Sequence, residues 1–289
     1  MKIGFHTDAF NSAVFSFEKA LNWAQEHNVH FIECGVLEGV SWIHGLGYFP
    51  HVSLSEDPMW TRKKMEQYSV GFSQIDAAYP LSGRDGLYYG VQYVLKTLPW
   101  AKIVDCPNIA TTDGLNMPEG LSENTALELM KYAYGTIVEK AELYDITINI
   151  EVHGYFTTKP EFLEKMLDFA QSDRLGLNFD TGNTFIAGQN PVAFCRHFIK
   201  RVKHVHIKDV SESLAYALRG KETGIGISYS AIGEGVNADN IKEVLKILRD
   251  SGYNGVLSIE CEGQGGPLIE KSLHWLRNTL QKLNIPEEK

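Results

Sequence analysis

The sequence predicts an α/β fold, and specifically a closed (β/α)8 barrel, from two observations. Short apolar, β-branched runs alternate eight times with longer stretches at helical spacing along the 289 residues. Strands that alternate with helices form parallel sheets, and eight such units in a chain of about this length are typical of a closed barrel. An open doubly wound sheet is the alternative. It would need a glycine-rich phosphate loop after the first strand, and residues 5–16 contain no glycine.

The eight units follow one another without a linker, so we predict one domain over residues 1–289. The predicted strands cover residues 2–10, 30–36, 71–79, 102–110, 146–154, 174–183, 202–210 and 255–263. The predicted helices cover residues 16–29, 61–68, 86–98, 123–145, 159–172, 190–201, 237–253 and 267–283. Ser16 and an acid-rich first turn mark the starts of the first and the longest helix. We expect Pro99 to end the third helix and Pro107 to break the fourth strand, because proline lacks the backbone N–H.

Composition is that of an ordinary globular protein, with 44% hydrophobic and 22% charged residues. A net charge of −9 disfavours nucleic acid as a partner. The four cysteines form no CxxC pair, which indicates reduced thiols. No run approaches the roughly 18 apolar residues of a membrane span, and the first residues lack the apolar core of a signal peptide. We therefore predict a cytoplasmic protein that does not insert into membranes.

Polar side chains end four consecutive predicted strands. The fifth strand ends with Glu151 and His153, the sixth with Asp180 and Asn183, the seventh with His206, and the eighth with Glu260 and Glu262. The carboxyl ends of barrel strands meet at the mouth, where active sites are built. Several carboxylates there would repel one another unless a cation neutralised them. Oxygen ligands with one imidazole suit Mn²⁺, Mg²⁺ or Co²⁺, with Zn²⁺ or Fe²⁺ as alternatives.

Further candidate catalytic or substrate-binding residues lie at the ends of predicted strands or in the segments that follow these strands. His153 lies on the face of Glu151 and is either a base that does not bind the metal or a substrate contact. The remaining candidate substrate contacts are His6, Glu33, Asn183, Lys208 and Arg219. Lys208 has an alternative as a surface partner of Asp209.

Two connections, residues 38–60 and 210–237, are long for a compact domain. Both follow strands and so lie at the mouth of a barrel. We interpret them as walls of a pocket, with a contact between subunits of a homo-oligomer as the alternative.

The segments "NIEVHG", "NFDTGN", "HVHIKD", "GEG" at 233–235 and "SIECEG" occur in one order and spacing. With them the chain resembles, over essentially its whole length, the xylose-isomerase-like TIM barrels. That family includes ketose 3-epimerases, inosose dehydratases and isomerases, and endonuclease-IV-type repair enzymes. The repair branch is the least similar, because it needs further histidines where this chain has "QIDAAYP", "PNIATTD" and Asn183.

The resemblance implies that Glu151, Asp180, His206 and Glu260 bind one divalent ion, with Mn²⁺ as the first expectation. It also implies that Glu151 and Glu260 act as opposed acid and base on a ketose or keto-sugar, through an enediolate. Glu262 is the less favoured substitute for Glu260.

Three hypotheses follow. The first is a metal-dependent sugar isomerase or epimerase with a small, unphosphorylated carbohydrate substrate. The second is a lyase on the same scaffold, either a keto-inositol dehydratase or a 3-keto-glucoside eliminase, in which His153 takes part in catalysis. The third is a sugar-binding barrel without catalytic activity, which four intact ligand positions disfavour.

Overall fold

Eight parallel strands close into a barrel, which confirms the predicted fold class. The computed structural model describes residues 1–10, 17–37, 52–221, 224–263 and 266–288. The barrel strands are β1 (Lys2–His6), β2 (Phe31–Leu37), β4 (Gly71–Pro80), β5 (Asn108–Thr112), β6 (Thr147–Glu151), β7 (Leu175–Asp180), β8 (Val202–Ile207) and β9 (Val256–Ile259). Because β1 pairs with both β2 and β9, the ring is closed. A two-residue strand, β3 (Val52–Ser53), pairs with the end of β2.

Helices follow the strands, as expected for β/α units. They are α1 (Phe17–Glu26), α2 (Pro58–Tyr68), α3 (Val91–Ile103), α4 (Glu123–Tyr144), α5 (Pro160–Leu167), α6 (Thr181–Ile186), α7 (Pro191–Phe198), α8 (Glu212–Leu218), α9 (Ala238–Asp250) and α10 (Pro267–Lys282). Within the described part of the chain, no helix is both long enough and apolar enough to cross a membrane.

The register of the strands stacks side chains in rows around the barrel. Residues two apart in a strand point to the same face. Asn178 and Asp180 in β7 pair with His204 and His206 in β8. The paired positions therefore form two successive layers at the carboxyl end of the barrel.

The predicted effect of the two prolines is wrong. Pro99 lies inside α3, which continues to Ile103, and the residues beside it, Leu98 and Trp100, are buried. Burial of such side chains contributes about 1.5–3 kcal/mol each, which offsets the roughly 3 kcal/mol cost of a proline within a helix. The strand predicted from residue 102 begins only at Asn108, so Pro107 precedes β5 and does not break it. Residues 102 and 103 belong to the end of α3.

The two long connections are described in part, since residues 38–51 of the first and residues 222–223 of the second lie outside the described residues, and their role as pocket walls stays a prediction. The remainder of the first forms β3 and the start of α2. The second contains the short helix α8. Helix α6 begins directly after β7, where the sequence suggested a longer strand.

All four cysteines are buried and free.

Replacement of a buried side chain on α4 should destabilise the barrel far more than replacement of an exposed one. Met130 is fully buried, whereas Leu143 is 77% exposed on the same helix. We expect Met130→Ala to lower the free energy of unfolding by about 2–5 kcal/mol, because it removes buried apolar contacts and leaves a cavity. Leu143→Ala should change it by less than about 0.5 kcal/mol. Urea unfolding followed by circular dichroism measures both, and equal effects would contradict this packing.

Candidate metal centre

Four side chains at the carboxyl ends of neighbouring strands converge on one point. They are Glu151 of β6, Asp180 of β7, His206 of β8 and Glu260, which directly follows β9. One ligand atom from each lies within 4.8 Å of the others. The structure thus brings together the four residues expected to bind a metal ion.

His206 uses its two ring nitrogens in different directions. Its Nδ1 lies 2.7 Å from Glu260 Oε2, 3.5 Å from Glu151 Oε1 and 3.6 Å from Asp180 Oδ2. Its Nε2 lies 2.8 Å from Glu33 Oε2. If Nε2 carries the proton and donates it to Glu33, the lone pair of Nδ1 faces the three carboxylates. This is the tautomer that a metal-binding histidine needs.

The donor atoms fit a divalent cation. Asp180 Oδ2 and Glu260 Oε2 are buried and accept no well-directed hydrogen bond among the described residues, although His206 Nδ1 lies 2.7 Å from Glu260 Oε2. Asp180 Oδ1, in contrast, accepts the main-chain N–H of Asn183 at 2.7 Å and so caps α6. Buried carboxylate oxygens without a donor are costly unless a cation binds them. Three carboxylates and one imidazole are a ligand set for a hard or borderline divalent ion.

Electrostatics of the four side chains indicate the same need for positive charge. Burial alone would lower the pKa of His206, but the charges of Glu33 and Glu260 outweigh it and raise this pKa well above its ordinary value. Burial, together with the charge of Glu260, raises the pKa of Asp180 to about 7. Burial would also raise the pKa of Glu151, yet the neighbouring histidines lower it to about 2. A proton on His206 therefore supplies part of the charge that a bound cation would supply.

A second polar layer lies beneath these residues. Two positions before each of them is a buried polar side chain, namely Asn149, Asn178, His204 and Ser258. His204 Nδ1 lies 3.1 Å from Asn178 Oδ1. Burial lowers the pKa of His204 to about 4, so its ring is neutral at physiological pH. His204 supports the layer above it and lies below the mouth.

Glu33 is placed differently from its prediction as a substrate contact. It is fully buried and accepts hydrogen bonds from Gln74 Nε2 at 2.6 Å and from the ring of His206. Its position is that of a carboxylate that orients a metal-binding histidine.

Lys208 is also placed differently from its predicted alternative. It is fully buried, and its Nζ lies 2.9 Å from Glu260 Oε1 and 2.7 Å from Glu262 Oε1. A Cβ at Gly182 would lie 2.5 Å from Lys208 Cγ, so the glycine provides the space for this side chain. The predicted surface pair with Asp209 is wrong, because Asp209 is buried and accepts main-chain N–H groups, including that of Gly233.

His153 lies above Glu151 at the edge of the site. Its Nε2 lies 2.6 Å from Thr112 Oγ1. Its Nδ1 lies 3.5 Å from Glu151 Oε1 and, although buried, forms no hydrogen bond with the described residues. Asn183 Oδ1 is likewise buried without a partner. Both atoms therefore lack a protein partner in the described part of the chain.

The structure does not bring Arg219 to this site. Its exposed guanidinium donates to the main-chain carbonyl of Phe185 and lies 3.8 Å from the centre of that ring. The side chain is held at the end of α6, and its role as a substrate contact stays a prediction.

His6 is in hydrogen-bond contact with Asp76, a residue that was not among the candidates predicted from the sequence. His6 Nε2 lies 2.6 Å from Asp76 Oδ2, and Nδ1 accepts the main-chain N–H of Asp8. Neither ring nitrogen remains for a substrate. Asp76 was detectable in principle, because it is an acid two positions after Gln74 within a predicted strand of otherwise largely apolar residues.

Comparisons with known proteins agree with this architecture. A family model described as "Xylose isomerase-like TIM barrel" matches residues 21–279. An inosose dehydratase of Clostridium botulinum (strain Eklund 17B / Type B) is 31% identical over 111 residues, a match that spans only 35% of this chain and 35% of that protein.

Two solved structures have the same fold. A D-tagatose 3-epimerase-like protein matches with a TM-score of 0.77 at 24% identity, over 98% of each chain. The IOLI protein, solved with a bound zinc atom, matches with a TM-score of 0.69 at 14% identity, over 98% of this chain and 96% of that one.

Metal affinity should increase with pH. Because the pKa of His206 is raised, the ring holds a proton at neutral pH that a metal ion at Nδ1 must displace. Affinity for Mn²⁺ or Zn²⁺ should therefore fall as pH decreases from about 8 to 6, where protonation competes. Isothermal titration calorimetry in buffers of different ionisation enthalpy measures the protons released. Binding without proton release would contradict this assignment of His206.

Removal of the charge on Glu33 should weaken metal binding although Glu33 does not face the metal position. We expect Glu33→Gln to lower the affinity about 10–100-fold, because the amide no longer orients His206 or increases its basicity. Glu66→Gln is the matched control, since Glu66 is an exposed partner of Arg62. Equal affinities of the two variants would exclude this role for Glu33.

Proposed function

The chain belongs to the xylose isomerase-like TIM barrel family, and on that premise we propose that it is a divalent-metal-dependent sugar isomerase or epimerase. The proposed substrate is an unphosphorylated ketose or keto-sugar. One observation carries the proposal. The side chains of Glu151 and Glu260 are 14% and 8% exposed, whereas those of Asp180 and His206 are buried almost completely. Two of the four proposed ligands can therefore also meet a substrate.

The two glutamates are suited to act on opposite sides of that substrate. Glu151 belongs to β6 and Glu260 follows β9, so they flank Asp180 and His206, which lie on the strands between. One glutamate would remove the proton from the carbon beside the carbonyl, and the other would return a proton. A divalent ion held here would polarise the carbonyl as a Lewis acid.

Lys208 would keep Glu260 in the form that this role requires. Its ammonium group is the main reason that the pKa of Glu260 lies well below its ordinary value despite burial. Glu260 is therefore a carboxylate at neutral pH and is oriented by the hydrogen bond to Lys208. We expect Mn²⁺ as the bound ion, with Zn²⁺ as an alternative because the similar IOLI protein was solved with zinc.

A second candidate function, a lyase that removes water or an aglycone from a keto-sugar, is favoured by His153. Burial would lower the pKa of His153, but Glu151 outweighs it and raises this pKa. A protonated ring with Nδ1 free could donate that proton to a leaving oxygen. The partial match to an inosose dehydratase points to the same class of reaction.

Product analysis in D₂O tests both functions. The Mn²⁺-loaded protein is incubated with ketoses, keto-inositols and 3-keto-glucosides, and products are identified by mass spectrometry and NMR. An isomerase or epimerase should introduce deuterium at one carbon without loss of atoms, and Glu151→Gln and Glu260→Gln should each lower the rate by about 10²–10⁴-fold. Loss of water or an aglycone, sensitive also to His153→Ala, would assign the lyase.

Glu164→Gln is the matched control for the glutamate variants. Glu164 is exposed and pairs with His197 on the outside of the barrel. It should retain the wild-type rate. A protein that binds metal and sugar but neither exchanges deuterium nor forms a product would be a sugar-binding barrel, and the proposed function would be rejected.

A further inference from the structure

We propose that Asp76 is a further catalytic residue, which transfers a proton to or from an oxygen atom of the substrate from the wall of the mouth that lies opposite His206. This inference rests on the proposed function and adds a group that neither the family resemblance nor the metal ligands provide. In this division of roles, the two glutamates handle the proton on carbon and Asp76 handles the proton on oxygen.

The position of Asp76 follows from the order of strands in the ring. Four steps separate β4, which contains Asp76, from β8, which contains His206, in a ring of eight strands. Asp76 lies two positions after Gln74, which binds Glu33 beneath the mouth. It therefore occupies the layer above Gln74, on the opposite side of the barrel from His206 and two strands from Glu151.

The strand is irregular directly after Asp76. Asp76 pairs with Ala110, but the next pair in this ladder joins Pro80 to Thr112, so β4 contains two additional residues here. Such bulges occur next to active sites, where they redirect a side chain. The feature is consistent with a carboxyl group turned towards the mouth.

The contacts of Asp76 leave one oxygen for a ligand. Oδ2 lies 2.6 Å from His6 Nε2, and His6 is fixed in turn by the main-chain N–H of Asp8. Oδ1 is buried and has no hydrogen-bond partner in the described ranges. The centre of the His6 ring is 5.9 Å from that of His206, so the His6–Asp76 pair lies close to the proposed metal ligands. His6 is thus a positioning residue for Asp76.

The charges around Asp76 support proton transfer. Burial raises its pKa to about 7, and the charges of Glu33 and Glu151 contribute in the same direction, while His6 opposes them. A carboxyl group with such a pKa is present in both protonation states at neutral pH. That is the condition under which a general acid or base is most effective.

The proton balance is complete in each proposed reaction. In epimerisation, protonated Asp76 donates to the carbonyl oxygen as the neighbouring C–H bond breaks, and takes this proton back as the carbonyl re-forms. In isomerisation, the Asp76 carboxylate accepts the proton of a hydroxyl group as its carbon becomes a carbonyl, and returns this proton to the former carbonyl oxygen. In elimination, protonated Asp76 donates to the departing hydroxyl as the C–O bond breaks. The electrons of the cleaved C–H bond then form the C=C bond, and water leaves. Solvent restores the Asp76 proton and accepts the one that the glutamate removed.

Asp76→Asn separates the two roles, because it keeps the size of the side chain and its contact with His6. We expect turnover to fall by about 10²–10⁴-fold, while exchange of the carbon-bound proton with D₂O in the recovered substrate and affinity for Mn²⁺ stay near wild type. Asp168→Asn, at an exposed partner of Arg201, is the matched control and should be unchanged in all three. His6→Gln should lower turnover less than Asp76→Asn does, again with exchange retained.

Two outcomes would overturn the inference: wild-type turnover in Asp76→Asn, or an equal loss of exchange and turnover, which would place Asp76 in the carbon step or in the fold. If the wild type neither exchanges nor converts any of the sugars, the proposed function fails. The inference is then judged by ligand-observed NMR with the same sugars. Weaker binding to Asp76→Asn than to Asp168→Asn would keep a substrate contact through Oδ1, and equal binding or none would reject it.

Discussion

The structure of the site depends on one constraint, the need to balance the negative charge of several buried carboxylates around a single imidazole. Glu33 lies on one side of His206, and Glu151, Asp180 and Glu260 lie on the other. The ring is the only group that touches both sides among the residues described. Its protonation, its tautomer and its orientation are therefore coupled, and the surrounding side chains are arranged according to which nitrogen they face.

The strand periodicity extends this constraint into three layers. Asn149 and His204 lie two residues below Glu151 and His206, while His153 and Lys208 lie two residues above them. The lower layer is neutral and fixes positions by hydrogen bonds. The upper layer carries groups that can hold or release protons. Supporting residues, proposed metal ligands and proton-holding groups thus follow one another at intervals of two residues along the same segments, because every second residue of a barrel strand faces the barrel axis.

The fold and the four converging side chains could be predicted because both depend on local patterns. Alternating strand and helix patterns specify the barrel, and polar residues at the ends of apolar strands specify the mouth. The orientation of Glu33 could not be predicted, since its partner His206 is 173 positions away and the contact arises only when the ring closes. The position of Arg219 could not be predicted for a different reason. It follows the short helix α8 in a long connection, and such connections have no period from which the direction of a side chain can be inferred.

The burial of Lys208 has a consequence for how the sequence can vary. Its methylene chain occupies the space that a side chain at position 182 would need, so the absence of a side chain at Gly182 and the length of the one at 208 form a single steric solution. A larger residue at 182 is compatible only with a shorter one at 208, and a shorter residue would leave Glu260 and Glu262 facing each other without a cation between them. A side chain at position 182 is therefore expected to clash with Lys208, and a shorter residue at 208 to remove the cation between the two glutamates, so Gly182 and Lys208 are expected to occur together in relatives that bind Glu260 in the same manner.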